Sequence, residues 1–189
     1  MRPPPHGCRL TPDFLADHQR LLERLRDELD WTRHMRSRRT ASMGVPYNYG
    51  GASYPVAPWH PAVRALADRV APVAGFAPTN CLLNYYPTGR HSMGYHSDDT
   101  SILAEGTGVA IVSLGVTREL RLRAGLGPDA GFHYESLDLT GGSLLMMSAA
   151  MQAHWRHAIR RTDTDAPRIS LSFRRIVRWP ETPPPVPPR

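Results

Sequence analysis

The sequence predicts a mainly β protein with N-terminal helices, an α+β chain whose strands build a sandwich or jelly roll. Three observations carry that reading. From residue 80 onward, short runs rich in Val, Ile, Leu, Tyr and Phe are broken repeatedly by Gly, Pro, Asp and Thr. That is the pattern of many short strands, not of strands alternating with helices. Before residue 80, apolar residues recur at helical spacing instead. Finally, 189 residues with 41% hydrophobic and 21% charged content suit one globular domain with a single sizeable core.

In chain order, Thr11-Pro12-Asp13 reads as a helix start: Thr11 as N-cap, proline first, an acid in the first turn. Phe14, His18, Leu21, Leu22, Leu25 and Leu29 follow as one apolar stripe, with His18 a packed histidine. Residues 30–58 mix Arg, Gly, Pro and Tyr without a period, a surface stretch of turns and a hairpin. Residues 61–70 form a second helix with Val63, Leu66, Ala67 and Val70 inward, stopped by Pro72. Strands are expected at 80–86, 108–116, 119–123, 132–139, 143–147, 157–161 and 168–177. The run 109–114 is almost wholly apolar and therefore central. The tail, 180–189, holds six prolines in ten residues and adds nothing to a core. The expected division is 1–79 as an N-terminal part of the same domain, 80–178 as the β core, and 179–189 as the tail.

The formal net charge is +6, and all 23 basic residues are arginine. A positive balance is compatible with a polyanionic partner. Arg33, Arg36, Arg38 and Arg39 are the densest cluster, readable as a phosphate grip or as a solvated basic loop. Cys8 and Cys81 suggest no disulfide framework, no run approaches 18 apolar residues, and the first residues lack the apolar centre of a signal peptide. A cytoplasmic monomer without a membrane span is the expectation.

Chemistry concentrates at two places. His96 and Asp98 are two apart, so on a strand an imidazole and a carboxylate leave the same face. With one more imidazole they make the facial triad that holds non-heme Fe(II) and leaves positions open. His154 and His157 compete for the third place, with His133 and His91 behind them. A strand starting at His157 favours it modestly, because a rigid element places a ligand better than a turn does. The second place is 168–174, which alternates: Ile169, Leu171 and Phe173 on one face, Arg168, Ser170, Ser172 and Arg174 on the other. Either this is an edge strand with a solvated polar face, or its two arginines lean together from Cα atoms roughly 20 Å apart to hold a dicarboxylate.

Several segments occur together in order: Asn84-Tyr-Tyr-x-x-Gly89, His96-Ser-Asp98-Asp99, Ser113-Leu-Gly-x-Thr-Arg118, Gly142-Ser-Leu-Leu-Met-Met147, Gln152-Ala-x-Trp155-x-His157 and Arg168-x-Ser-x-Ser-Phe-Arg174. With fainter matches at Pro46-Tyr47-x-Tyr49 and Trp59-His60-Pro61, they resemble the AlkB family of Fe(II)- and 2-oxoglutarate-dependent dioxygenases, the nucleic-acid demethylases. The resemblance implies a double-stranded β-helix, a jelly-roll variant, with an N-terminal extension as substrate lid. It implies His96, Asp98 and His157 as iron ligands. Arg168 would meet the distal carboxylate of 2-oxoglutarate, Arg174 would lie near the chelating one, and Asn84, Tyr86 and Ser170 would also contact the cosubstrate. Tyr47, Tyr49, Asp99, Thr100 and Arg118 fall on the substrate side. The implied reaction consumes 2-oxoglutarate and O2 and frees a methyl group from an alkylated DNA or RNA base as formaldehyde, with the base flipped out of any duplex.

The chain departs from the family at Thr100, where relatives carry an acid, at Ser42 and Met43, where they place aromatics that stack on the base, and at Ser170, where an asparagine is usual. Those departures bear on the substrate, leaving room for a protein or small-molecule substrate. A metal-dead jelly roll that binds nucleic acid through 33–39 is the reading from outside enzymology.

Overall fold

The structure is a computed structural model describing residues 7–33, 36–49, 52–125 and 131–178, with only the backbone of Tyr49. The order is β1 (Cys8–Thr11), α1 (His18–Glu28), β2 (Arg39–Gly44), the hairpin β3 (Tyr47–Tyr49) and β4 (Ala52–Tyr54), and α2 (Pro61–Ala74). There follow β5 (Asn80–Tyr86), β6 (Met93–His96), β7 (Gly108–Gly115), β8 (Arg118–Gly125) and β9 (Phe132–Leu139). The chain closes with β10 (Leu144–Ser148), α3 (Ala149–His154), β11 (Trp155–Ile159) and β12 (Arg168–Arg174).

Two antiparallel sheets carry the molecule: a six-stranded one ordered β1-β10-β7-β12-β5-β2 and a four-stranded one ordered β6-β11-β8-β9. Strand alternation divides the apolar residues between two clusters. On one face of the large sheet, Leu83, Val112, Leu114, Ile169, Leu171 and Phe173 pack with Leu22 and Leu25 of α1 and Val63, Leu66 and Val70 of α2. On the other face, Leu82, Ile111, Leu145 and Met147 pack with Leu120, Leu122, Leu137 and Leu139 of the small sheet. The result is three layers: helices, large sheet, small sheet. This mainly β architecture fits a jelly roll. No helix among the described residues is long and apolar enough to cross a membrane.

Packing outweighs capping in placing α1. Its N-cap, Asp17, makes no side-chain cap hydrogen bond, which forgoes about 1 kcal/mol. Leu22 and Leu25 are each fully buried, and each contributes about 1.5–3 kcal/mol.

Several sequence expectations need correcting. Thr11 is not a helix cap; it pairs with Leu144 as the last residue of β1. The turn after it places Asp13 at a φ of 54°, Leu15 N–H donates to Gly142 O, and the helix starts only at His18. Pro72 lies inside α2. So near the C-terminus, its missing N–H costs one hydrogen bond, and the end falls at Gly75, in the left-handed region with φ 76°. The stretch 30–58 supplies the expected hairpin, but also β2, which adds an edge to the large sheet by pairing with β5. The strands β1 and β6 were not legible as strands, and the last expected strand stops at Arg174. The proline tail lies outside the described residues.

Candidate active site

The site grows from the polar faces of β5, β6, β11 and β12. Strand β12 is no edge strand. It lies between β7 and β5, and every one of its residues is buried. Ile169, Leu171 and Phe173 face the helices, so Arg168, Ser170, Ser172 and Arg174 face the space between the sheets. Ser170 opposes Asn84 and Arg168 opposes Tyr86 in register, which puts Asn84 and Tyr86 on the wall of the same cavity.

Across that space, β11 pairs with β6 so that His157 sits opposite His96. The two rings have centroids 4.1 Å apart. Asp98 follows His96, and one ligand atom from each of His96, Asp98 and His157 lies within 4.8 Å of the others. The chain thus brings an imidazole pair and one carboxylate to a single point, and Ser97 Oγ, next to Asp98, donates to Trp155 O at 3.0 Å across a sequence separation of 58. His154 does not join them; it is exposed at the end of α3. His91 Nδ1 is engaged at 3.1 Å with Thr88 Oγ1, and His133 pairs at 3.1 Å with Glu135 on the exterior.

The electrostatics prepare these groups to ligate. Burial lowers the pKa of His157 to about 4, with His96 acting in the same direction and Asp98 opposing. Burial also lowers His96, against the pull of Asp98. Both rings are neutral at pH 7, the form a metal ligand requires. Asp98 is pushed up by burial but held below the ordinary carboxylate range by Arg174, His157 and His96. Arg174 Nη2 donates to Asp98 Oδ1 at 3.0 Å. Gln152 braces the same carboxylate: its Oε1 accepts from Asp98 N–H at 3.0 Å and its Nε2 faces Oδ2 at 3.5 Å.

One imbalance remains. Among the described residues, Arg168 and Arg174 are both buried here beside one carboxylate, that of Asp98. Arg168 Nη2 donates to Ser113 Oγ at 2.9 Å, but its Nε and Nη1, like Tyr86 Oη and Arg174 Nε, are buried without a hydrogen-bond partner. Burial raises the Tyr86 pKa, so its phenol keeps its proton. A buried cation and a buried phenol with unused donors mark a place for an anion. The donor set fits two groups the structure does not contain: a divalent metal ion at His96, Asp98 and His157, and a carboxylate-bearing molecule at Arg168 and Tyr86.

A family model described as the 2OG-Fe(II) oxygenase superfamily matches residues 7–174. The chain belongs to the 2OG-Fe(II) oxygenase superfamily. Fe(II), 2-oxoglutarate and O2 are accordingly its cofactors. Among curated relatives, "DNA oxidative demethylase ALKBH2" of Homo sapiens is 34% identical over 139 residues, covering 71% of this chain and 53% of the relative. "Alpha-ketoglutarate-dependent dioxygenase alkB homolog 3" of Homo sapiens is 30% identical over 173 residues, covering 82% and 60%. The chain thus spans about half the length of the ALKBH2 relatives it matches. The solved structure of OsALKBH1 superposes with a TM-score of 0.65 at 19% identity, over 93% of this chain and 99% of that one, which shows a shared fold.

The residues assigned to the oxygenase's substrate side scatter. Arg118 is buried, with its Nη2 donating to the carbonyls of Gly89, His91 and Arg160 and its guanidinium 5.7 Å from the Tyr86 ring. It ties β8 to the loops that carry those carbonyls. Asp99 Oδ1 accepts from Ser101 N–H and Oγ, bracing its own exposed turn. Thr100 is half-buried beside it. Tyr47 is buried, its ring 4.8 Å from the Arg174 guanidinium. The Tyr49 side chain lies outside the described residues. Ser42 accepts from Asn80 Nδ2 and Met43 packs in the helix-side core, so neither offers a surface for stacking.

The basic cluster 33–39 also divides. Arg33 and Arg36 are exposed and Arg39 lies over the Tyr85 ring at 5.6 Å. Arg38 turns inward and donates from Nε to Asn84 Oδ1 at 2.7 Å. Sequence reasoning missed Arg38 and Gln152 as parts of the site. The signal for Arg38 was present: Arg38, Thr40 and Ser42 are polar at every second position, the alternation of a strand with one polar face.

Proposed function

We propose that this oxygenase removes methyl groups from alkylated bases in DNA or RNA. The observation that carries the reading is the buried Arg168 guanidinium, short of an acid, beside the His96, Asp98 and His157 cluster. The relatives named DNA oxidative demethylase ALKBH2 support nucleic acid as substrate. In this reading His96, Asp98 and His157 hold Fe(II). Arg168 and Tyr86 take the distal carboxylate of 2-oxoglutarate, with Ser170 lining that wall, while Asn84 and Arg174 flank its chelating end. When bound, iron with 2-oxoglutarate and O2 supplies an oxidant strong enough for a methyl C–H bond. The chain itself orients the cosubstrate and excludes water. Within the N-terminal part, the β3–β4 hairpin with Tyr47 and Tyr49 serves as the substrate lid, while α1 and α2 pack on the far face of the large sheet; Asp99 and Thr100 stand at the rim of the cavity.

The test is a panel of oligonucleotides, single-stranded and duplex, carrying different N-methylated bases, assayed for formaldehyde. Release from at least one is expected. Turnover of 2-oxoglutarate to succinate without formaldehyde from any of them would move the assignment to a protein or small-molecule substrate.

A further inference from the structure

The outward face of the small sheet carries chemistry that the iron site does not use. Strand alternation sends Leu120, Leu122, Leu137 and Leu139 inward and leaves Arg121 and Arg123 of β8 and Phe132 and Tyr134 of β9 on the other side. Arg123 opposes Tyr134 on one flank and the exposed Arg156 of β11 on the other. The Arg123 guanidinium lies 4.3 Å from the Tyr95 ring and 4.6 Å from the Phe132 ring, and Arg121 lies 5.0 Å from Tyr134. Tyr95 and Tyr134 are 6.4 Å apart, Phe132 and Tyr134 6.2 Å. Guanidinium groups and rings are therefore interleaved across all four strands of the small sheet.

This arrangement is unusual for a surface with nothing to bind. Phe132 and Tyr134 are 50% and 45% exposed, two of the largest apolar side chains left in water. Arg123 Nε is buried between rings without a hydrogen-bond partner. Among the described residues no carboxylate pairs with Arg121, Arg123 or Arg156. Among the described residues the acids of this face, Glu119 and Asp138, oppose each other at its far end, away from Phe132 and Tyr134. Rings set among unpaired guanidinium groups are what a single nucleic-acid strand needs: stacking for bases and cations for phosphates. The patch backs the strands that carry His96 and His157, since Tyr95 adjoins one and Arg156 the other. To reach it, a strand leaving the cavity rounds the β6 edge of the small sheet.

We propose that the face formed by Tyr95, Arg121, Arg123, Phe132, Tyr134 and Arg156 is a stacking platform for single-stranded nucleic acid flanking the nucleotide under oxidation. It rests on the nucleic-acid reading above for its place in the reaction, but not for its binding. The test uses fluorescence anisotropy with an unmethylated labelled oligothymidylate of roughly 15 nucleotides, about the span of one single-strand site. The full chain is compared with the Phe132→Ser/Tyr134→Ser double variant, Arg123→Gln and the conservative Tyr134→Trp.

The double variant should bind at least about tenfold more weakly. Arg123→Gln should lower the dependence of log affinity on log salt by about one, and Tyr134→Trp should bind like the parent. Formaldehyde release from a methylated trinucleotide, too short to reach the platform, should be unchanged in the double variant. Equal binding by parent and double variant overturns the proposal, as does a parent that binds no single strand. A concentration-dependent dimer that the double variant abolishes also overturns it, by giving the face to a second copy. If the parent demethylates no oligonucleotide yet the double variant still loses binding, the platform stands and the demethylase reading falls.

Discussion

Replacing Arg168 with leucine separates binding from folding, because binding should fall steeply while stability stays nearly level. In the free protein Arg168 is a buried cation whose one hydrogen bond runs to Ser113 Oγ, with Nε and Nη1 unsatisfied. Burial lowers its pKa from the usual 12.5 to about 10, with Tyr86 opposing and Arg118 assisting. That sets the charged form back by about 3 kcal/mol. Leucine removes this penalty and loses the Ser113 hydrogen bond, worth about 1.5–3 kcal/mol for a charged donor. It also loses the 5.5 Å approach to the Tyr86 ring, worth about 0.5–2 kcal/mol. The terms nearly cancel, so free-protein stability should change by no more than about 2 kcal/mol. Binding behaves otherwise. Loss of a buried charge partner costs about 2–5 kcal/mol, so 2-oxoglutarate should bind at least about thirtyfold more weakly. The assay is anaerobic thermal unfolding with Fe(II), with and without 2-oxoglutarate. The parent should gain Tm with 2-oxoglutarate and Arg168→Leu should not. An unchanged 2-oxoglutarate response in the variant would refute the placement of the cosubstrate.

Two further outcomes follow from the metal cluster. His157→Ala should abolish succinate formation while His154→Ala, at an exposed helix end, should retain most of it; a reversal would show that the ligand strand is out of register. Gln152→Ala should weaken Fe(II) affinity about 10- to 100-fold, because Gln152 holds Asp98 through both its backbone N–H and its carboxylate. Equilibrium titration with Fe(II) under anaerobic conditions measures it, and an unchanged affinity would make Gln152 merely a packing residue.

Legibility in the sequence followed periodicity. The polar–apolar alternation of 168–174 disclosed two faces, and the two-residue spacing of His96 and Asp98 disclosed a shared direction. What alternation cannot disclose is which neighbours a strand acquires. Nothing local to Arg168 shows that β5 and β7 flank it, so an edge strand and a central one read alike until the pairing is known. The cap signal at Thr11-Pro12-Asp13 was chemically sound but lost to pairing with Leu144, a partner distant in sequence. Arg38 was hidden by its company: among Arg33, Arg36 and Arg39, composition advertised a surface and obscured the alternation with Thr40 and Ser42 that sends its guanidinium to Asn84.

Strand β12 is a party wall. The helices lean on one side of it and the chamber lined by Arg168, Ser170, Ser172 and Arg174 lies on the other, with no second layer of backbone between them. Trimming Leu171 on the helix side would therefore be felt as a tilt of Ser170 and Ser172 on the chamber side. Drift in the helices cannot be silent for this oxygenase, and compensating changes should appear in pairs on either side of those seven residues.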